Sequence, residues 1–500
     1  MRAIVVSRRL PMVLVVSLLA LATIALSGCS ETGGGLALGV DDIGGVVTGP
    51  SGPEAGVWVI AETSDLPTLF NRIVVTDNEG RYVVPDLPDA SYDLWVRGYG
   101  LVDSEKVRAR PGDELDLTAV LAPDAHAAAQ YYPAGYWFSL IDVPEKSEFP
   151  GTGPEGNGIA PEVGSQAEWL RNLKSGGCMA CHALGTQAIR EISPALGEFA
   201  SSVEAWDRRI RSGQAGGSMY GNLSRVGLRG ALEMFADWTD RIAGGELPPV
   251  PTRPEGIERN IVITQWDWAD PTTYLHDEAS TDKRDPTVNP YGPIYGALEA
   301  SADYTPVLNP ADHSIKQIPV PVRDPNTPLA AGGPMAPSIY WGDEAIWDSQ
   351  ANVHNPMLDA RGRVWLTSRV RPAENPDMCL EGSDHPSATA FPTTRAGRHL
   401  AVYDPATDDM TLIGTCFGTH HLIFGEDENN TLWTSGGGQV IGWLNTKMFD
   451  ETGDEEASQG WTALIVDTNG NGQRDEYTEP GEPLDPTKDM RVTTGFYGVA

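Results

Sequence analysis

The sequence predicts a multidomain, exported protein with a β domain, then a small all-α domain, then a larger β region built from repeats. Three observations predict this order. Residues 43 to 122 alternate apolar and polar with turn residues between the runs, as strands do. Residues 160 to 248 change to apolar side chains spaced by three and four, as helices do. From about 255 onward strand patterns return, rich in Trp, and similar passages recur.

The compartment is set by residues 1–29. Arg2, Arg8 and Arg9 precede an apolar run of 15 residues, Met12 to Leu26. A membrane span needs about 20, whereas a signal peptide core has this length. Leu26-Ser27-Gly28-Cys29 resembles a bacterial lipobox. The resemblance implies that Cys29 is lipidated, becomes the N-terminus and anchors the chain to a membrane. The localisation would be the bacterial cell envelope, facing periplasm or exterior; Ser30, by analogy with enterobacterial sorting, favours the outer membrane. A plain signal peptide with an incidental Cys is the alternative. Residues 30–42 are a Gly-rich tether. The net charge of −34 repels nucleic acid, so no nucleic-acid partner is expected. Between 401 and 490 there are 18 acidic against 3 basic residues, a solvated surface that also suits a salt-rich habitat or calcium.

Residues 43–123 carry Thr76-Asp77-x-x-Gly80-x-Tyr82 and then Leu87-Pro-x-x-x-Tyr92-x-Leu94. This pattern resembles the carboxypeptidase regulatory-like domain. The resemblance implies a small β-sandwich of carbohydrate-binding-like fold, used as a spacer or adhesion module, and no site residue.

The helical region, 160–248, holds Cys178-Met-Ala-Cys181-His182. A c-type cytochrome needs two thiols for thioether bonds to the haem vinyl groups, and a His directly after the second Cys to ligate iron. A redox dithiol would want a βαβ surround. A structural zinc site would want a second Cys or His pair, and the sequence has no other Cys-x-x-Cys. Haem c is therefore the expected cofactor, held by Cys178 and Cys181, with His182 on the iron. The whole region resembles a class I cytochrome c domain. That resemblance implies a second iron ligand from a Met on a distal loop, and Met219, among Gly216, Gly217 and Gly221, is the matching position.

In 256–500, "NPMLDARGRVWLTSRVR" (355–371), "HLAVYDPATDDMTLIG" (399–414) and "HHLIFGEDENNTLWTSGGGQVIGWLN" (420–445) share a cadence, with a degenerate copy at 256–278. One such unit cannot bury both faces of its own sheet, so repeats mean a propeller or solenoid. The cadence resembles the virginiamycin B lyase-like β-propellers. It implies that fold, incomplete in this chain because Arg491 to Ala500 begin a strand pattern and stop; it implies no catalytic set.

Five Cys are present, and Cys379 and Cys416 remain once Cys29 and the motif are assigned. An even remainder outside the cytoplasm predicts a disulfide; two buried free thiols are the alternative. Asp467, Asn469, Asn471 and Asp475 stand at positions 1, 3, 5 and 9 of a calcium loop with Gly472 at position 6. Thr478 occupies position 12, where a Glu is wanted, with Glu476 and Glu479 nearby; a Gly/Asn-rich hairpin tip is the alternative. His420-His421 could line a propeller mouth or bind metal; the alternative is a strand pair with one ring turned to each side.

The expected function is single-electron transfer between the haem and a redox partner protein or quinone-linked chain, with the propeller as docking platform or dehydrogenase-like partner. Quinoprotein alcohol dehydrogenases offer a similar architecture. Two alternatives are an adhesion or carbohydrate-binding lipoprotein with accessory haem, and a lyase-like or hydrolytic propeller.

Overall fold

Two sheets close over one apolar core near the start of the chain. One runs Gly52–Pro53, Ile43–Gly49, Arg81–Val84, with Leu117–Thr118 parallel to Ile43–Gly49. The other runs Ile263–Asp267, Leu69–Val75, Trp58–Thr63, Tyr92–Arg97, Val107–Ala109. Alternate residues of these strands, among them Val47, Val59, Phe70, Val84, Tyr92 and Leu94, point inward and are buried together. The arrangement is consistent with a β-sandwich. In this computed structural model the described residues are 36–174, 177–436, 438–493 and 496–499. The signal segment, Cys29 and the first part of the tether lie outside them.

The turn that closes Arg81–Val84 shows why its residues are what they are. Asp77 Oδ1 accepts from the amides of Glu79, 3.0 Å, and Arg81, 2.8 Å. Gly80 has φ +73°, and a Cβ there would lie 2.5 Å from the Val47 carbonyl, so no side chain fits.

Strand Ile263–Asp267 corrects the reading of 256–278 as a degenerate repeat. It pairs antiparallel with Leu69–Val75, and Trp266 meets Phe70 at 6.2 Å. Its alternation places one face on the first core, a need that outweighs its likeness to the repeats.

Ten short α-helices are described, and seven of them lie between Ala125 and Ala243. Four matter here: α1 (Gln166–Lys174), α2 (Ser202–Arg209), α3 (Gly216–Val226) and α4 (Leu228–Ala243). In α4 the spacing of Leu232, Phe235, Trp238 and Ile242 puts all four on one buried face. Their core also takes in Tyr132, Trp137, Ile141 and Ile159, so the helical segment begins well before residue 160. Trp238 Nε1 donates to the Trp137 carbonyl at 3.0 Å, and Trp137 Nε1 to that of Ala129 at 3.1 Å. The five-residue helices Ala125–Ala129 and Ala134–Phe138 are too short to show a helical period in the sequence.

After Asp267 the chain forms three successive four-stranded antiparallel sheets, each in chain order. They are Asp277–Ala279, Ile294–Ala297, Tyr304–Asn309, Ser314–Pro319; then His354–Leu358, Val364–Ser368, His399–Asp404, Asp409–Ile413; then Leu422–Phe424, Thr431–Thr434, Val440–Asn445, Gln459–Ala463. A three-stranded sheet of Ile465–Val466, Asp489–Arg491 and Tyr477–Thr478 follows. Every residue of Val364–Ser368 is buried. Val364 and Leu366 pack with Tyr295, Val307 and Ile318 of the first sheet, while Trp365 packs with Leu422, Phe424 and Leu432 of the third. A strand covered on both faces is the outcome expected when consecutive sheets stack face to face. The acidic turn of the cadence has a structural task. Asp359 is buried and accepts from the amides of Arg361 and Arg363, from Arg363 Nε and from Trp365 Nε1, all between 2.8 and 3.1 Å.

Cys379 and Cys416 form a disulfide with Cα atoms 5.4 Å apart. It ties the insertion between Ser368 and His399 to the segment after Ile413. No helix among the described residues is long and apolar enough to cross a membrane.

Candidate functional site

Helix α1 ends at Lys174, and a single 3-10 turn, Cys178–Ala180, carries the motif. The amides of Cys181 and His182 both donate to the Cys178 carbonyl, at 3.3 and 2.9 Å. This tight wrap brings Cys178 and His182 to one cavity of about 400 Å³. Its walls are apolar and include Leu184, Ile189, Leu196, Trp206, Leu223 and Phe235. Met219 lines the same cavity. The two motif thiols are free, with Cys178 half-buried and Cys181 exposed.

Met219 departs from expectation in one respect. It stands in helix α3, not in a loop. Met219, Leu223 and Val226 follow at steps of four and three, a helical face that packs on the core and overrides the three glycines. Gly216 is needed at the helix start, where a Cβ would come within 2.4 Å of the Arg211 carbonyl.

Burial, and then the neighbouring charge of Arg209, pull the His182 imidazole below its ordinary value. Burial pushes the Cys178 thiol up. Arg209 stacks over Trp206 at 4.8 Å and donates to the carbonyls of Ala188 and Ile189. One side of the cavity comes from a distant stretch, Ser338, Ile339 and Tyr340. That stretch is held by Arg208 Nη2 donating to the Pro337 carbonyl at 2.6 Å, and by Gly213 N to that of Ala336 at 2.7 Å. Gln214 adds bonds to the carbonyls of Gly332 and Trp347 and receives the Trp347 amide, at 2.8 to 2.9 Å.

Thiol, imidazole and thioether are donor types that could hold a haem. One thiol (Cys178), one imidazole (His182) and one thioether (Met219) line an apolar space within the range of cofactor sites, about 300–1,000 Å³; Cys181 is exposed beside it, its Sγ 3.8 Å from the Tyr274 hydroxyl.

A second cluster of functional side chains stands where the first strands of the three four-stranded sheets are neighbours. His276 directly precedes Asp277–Ala279, His354 opens His354–Leu358, and His421 directly precedes Leu422–Phe424. Ring centroids are 4.5 Å apart for His276–His354, 4.5 Å for His354–His420 and 4.3 Å for His420–His421. Asp277 Oδ2 lies 2.9 Å from His276 Nδ1 and 3.0 Å from His354 Nδ1. Burial would raise the Asp277 carboxyl, but the two imidazoles beside it hold it at about 2. Arg398 Nη2 donates to Glu299 Oε1 at 2.7 Å on the same flank. Burial, then Arg398, push His354 down to about 3.

Of this cluster the sequence reading singled out only His420-His421, and both rings turn toward His354 rather than to opposite sides of a strand. His276, Asp277, Glu299, His354 and Arg398 were not anticipated. A signal was present: "LHDE", "VHNP" and "HHLIF" each put a His at or directly before the first strand of a four-stranded sheet.

In the loop 467–475, Asp467 accepts from the amides of Gly470 and Gly472 at 2.6 and 2.8 Å. Asn469 and Asn471 both donate to Asp475 Oδ2, at 2.7 and 2.5 Å. The two Glu considered for position 12 are engaged elsewhere, Glu479 with Arg491 and Glu476 with Lys488.

No protein-family model matches the chain, and no curated protein matches it.

Proposed function

We propose that this is an extracytoplasmic c-type haem protein that transfers single electrons, anchored in the bacterial cell envelope through Cys29. The observation that carries the reading is the convergence of Cys178, His182 and Met219 on one apolar cavity. In this reading Cys178 and Cys181 hold the haem by thioether bonds, and His182 and Met219 are its iron ligands. The haem supplies a one-electron couple; the chain does the rest. Leu196, Trp206, Leu223 and Phe235 exclude water. His182, uncharged below its ordinary protonation range, keeps a lone pair free. Met219 brings a soft sulfur that favours the reduced iron and raises the potential, which suits an acceptor of electrons from a redox partner or quinone-linked chain.

The helical segment is then a cytochrome c-type domain, and the stacked four-stranded sheets are blades of a β-propeller that docks on it through the stretch 332–347. The first two sheets are a carbohydrate-binding-like spacer between membrane and haem. Replacing Met219 by Ala tests the assignment. The weak far-red absorption of an oxidised thioether–iron bond should be present in the wild type and absent from the variant, with haem still attached. Absence of the band from the wild type, or its survival in the variant, contradicts the Met219 role.

The loop 467–475 is read as a calcium site, with Asp467, Asn469, Asn471 and Asp475 as its oxygen donors. The missing carboxylate is Asp489, which is buried, receives the Asp475 amide at 2.8 Å and leaves Oδ1 without a partner. Calcium should raise the unfolding temperature of the wild type and not that of Asp489→Asn. Equal shifts in both, or none in the wild type, exclude the site.

A further inference from the structure

The histidines at the junction of the three sheets have too few partners for their burial. His354 is 0 % exposed; its Nδ1 faces Asp277 Oδ2 at 3.0 Å, and its Nε2 has no partner. His421 Nε2 is likewise buried without a partner. A buried polar atom left unpaired is costly, so orphaned nitrogens grouped at one point ask for a common partner. Ligand atoms of His354, His420 and His421 lie within 4.8 Å of one another. One ion with metal–nitrogen bonds of about 2 Å reaches all three after small side-chain rotations.

Asp277 strengthens the argument from the far side. Its carboxylate lies 3.0 Å from His354 Nδ1 and is itself fixed by the Asn355 amide at 3.1 Å. A carboxylate behind one imidazole nitrogen sets the tautomer and directs the other nitrogen toward a metal. His354 Nε2, the nitrogen left over, is the one with no other partner. Tyr497 closes the opposite side, with its ring 5.0 Å from His420 and 4.4 Å from His421.

We propose that His354, His420 and His421 bind one divalent transition-metal ion of imidazole preference, with Asp277 orienting His354 from behind. Three imidazole donors suit copper or zinc, and the general order of affinities places copper(II) above zinc(II). Magnesium and calcium prefer oxygen and are not expected here. The site is separate from the Cys-x-x-Cys-His cavity but close to it. Tyr274 spans the gap, its hydroxyl 3.8 Å from Cys181 Sγ and its ring 5.5 Å from His276. The proposal does not depend on the haem reading.

The test uses the full chain freed of metal by a chelator, titrated with copper(II) sulfate and, separately, zinc sulfate. The expected result is one equivalent of copper(II) with nitrogen splitting in its paramagnetic resonance spectrum, and weaker zinc binding at the same stoichiometry. His420→Ala and His421→Ala should each lose that splitting. Asp277→Asn keeps every ligand and should weaken binding by about 10- to 100-fold, which covers the case of an Ala variant that fails to fold. A variant carrying Cys178→Ala and Cys181→Ala should bind copper as the wild type does. Absence of binding, binding that survives both His variants, binding that vanishes with the cysteines, or zinc held more tightly than copper would each overturn the assignment.

Discussion

Replacing Cys178 and Cys181 together by Ala should yield a protein without attached haem and with a loosened helical segment. Both effects follow from one geometry. In the proposed reading the thiols are the covalent tether, so their loss would leave only coordination by His182 and Met219, which dilution and unfolding reverse. The cavity that Cys178 borders is about 400 Å³ and mostly apolar. Empty apolar space costs about 24 cal/mol per Å³ where the walls cannot collapse. Trp206, Phe235 and Leu223 form part of that wall and of the core shared with Trp137 and Trp238. The segment between Ala125 and Ala243 should therefore become the first part cut by a protease, while the stacked sheets remain intact. Mass analysis of the purified variant and timed proteolysis check both effects. A variant that keeps haem through denaturation, or a segment as resistant as the wild type's, contradicts the expectation.

Replacing Cys379 and Cys416 by Ala should destabilise the stacked sheets by about 3–4 kcal/mol in the chain-entropy model. The bridge spans 37 residues and both cysteines are fully buried. Its surroundings form a small satellite core of Ala388, Phe417, Val440 and Trp461, which bridges the second and third sheets. Asn375 Nδ2 donates to the Cys416 carbonyl at 2.9 Å and would hold part of the contact in the variant. Denaturant melts of wild type and variant, with and without reductant, measure the difference. An unchanged midpoint, or an equal response of both proteins to reductant, contradicts it.

What could be read in the sequence is what depends on neighbours in the chain. Helix α4 shows its buried face through the steps from Leu232 to Ile242, and the fixed spacing of Cys178, Cys181 and His182 is what suggests the haem reading. The alternating strands and Gly-marked turns of the first sheets were equally plain, because Asp77 and Gly80 do their work locally. What escaped depends on distant pairing. Ile263–Asp267 joins a strand almost 200 positions earlier in the chain, and nothing in its own residues names that partner. The histidine cluster draws His276, His354 and the His420-His421 pair from the starts of three different sheets, so only stacking unites them. Met219, singled out by its place after the motif, does line the cavity, but its helix was hidden behind three glycines. Tyr340 reaches the cavity from a loop more than a hundred residues away.

The most direct measurement is the mass of the purified chain after full denaturation, taken with its reduced absorption spectrum in alkaline pyridine. The account predicts that one haem stays with the chain, on a peptide containing Cys178 and Cys181, and that the reduced spectrum is that of a haem with both vinyl groups saturated by thioether bonds. A chain exported and processed normally that carries no haem, with Cys178 and Cys181 titrating as two free thiols, would contradict it.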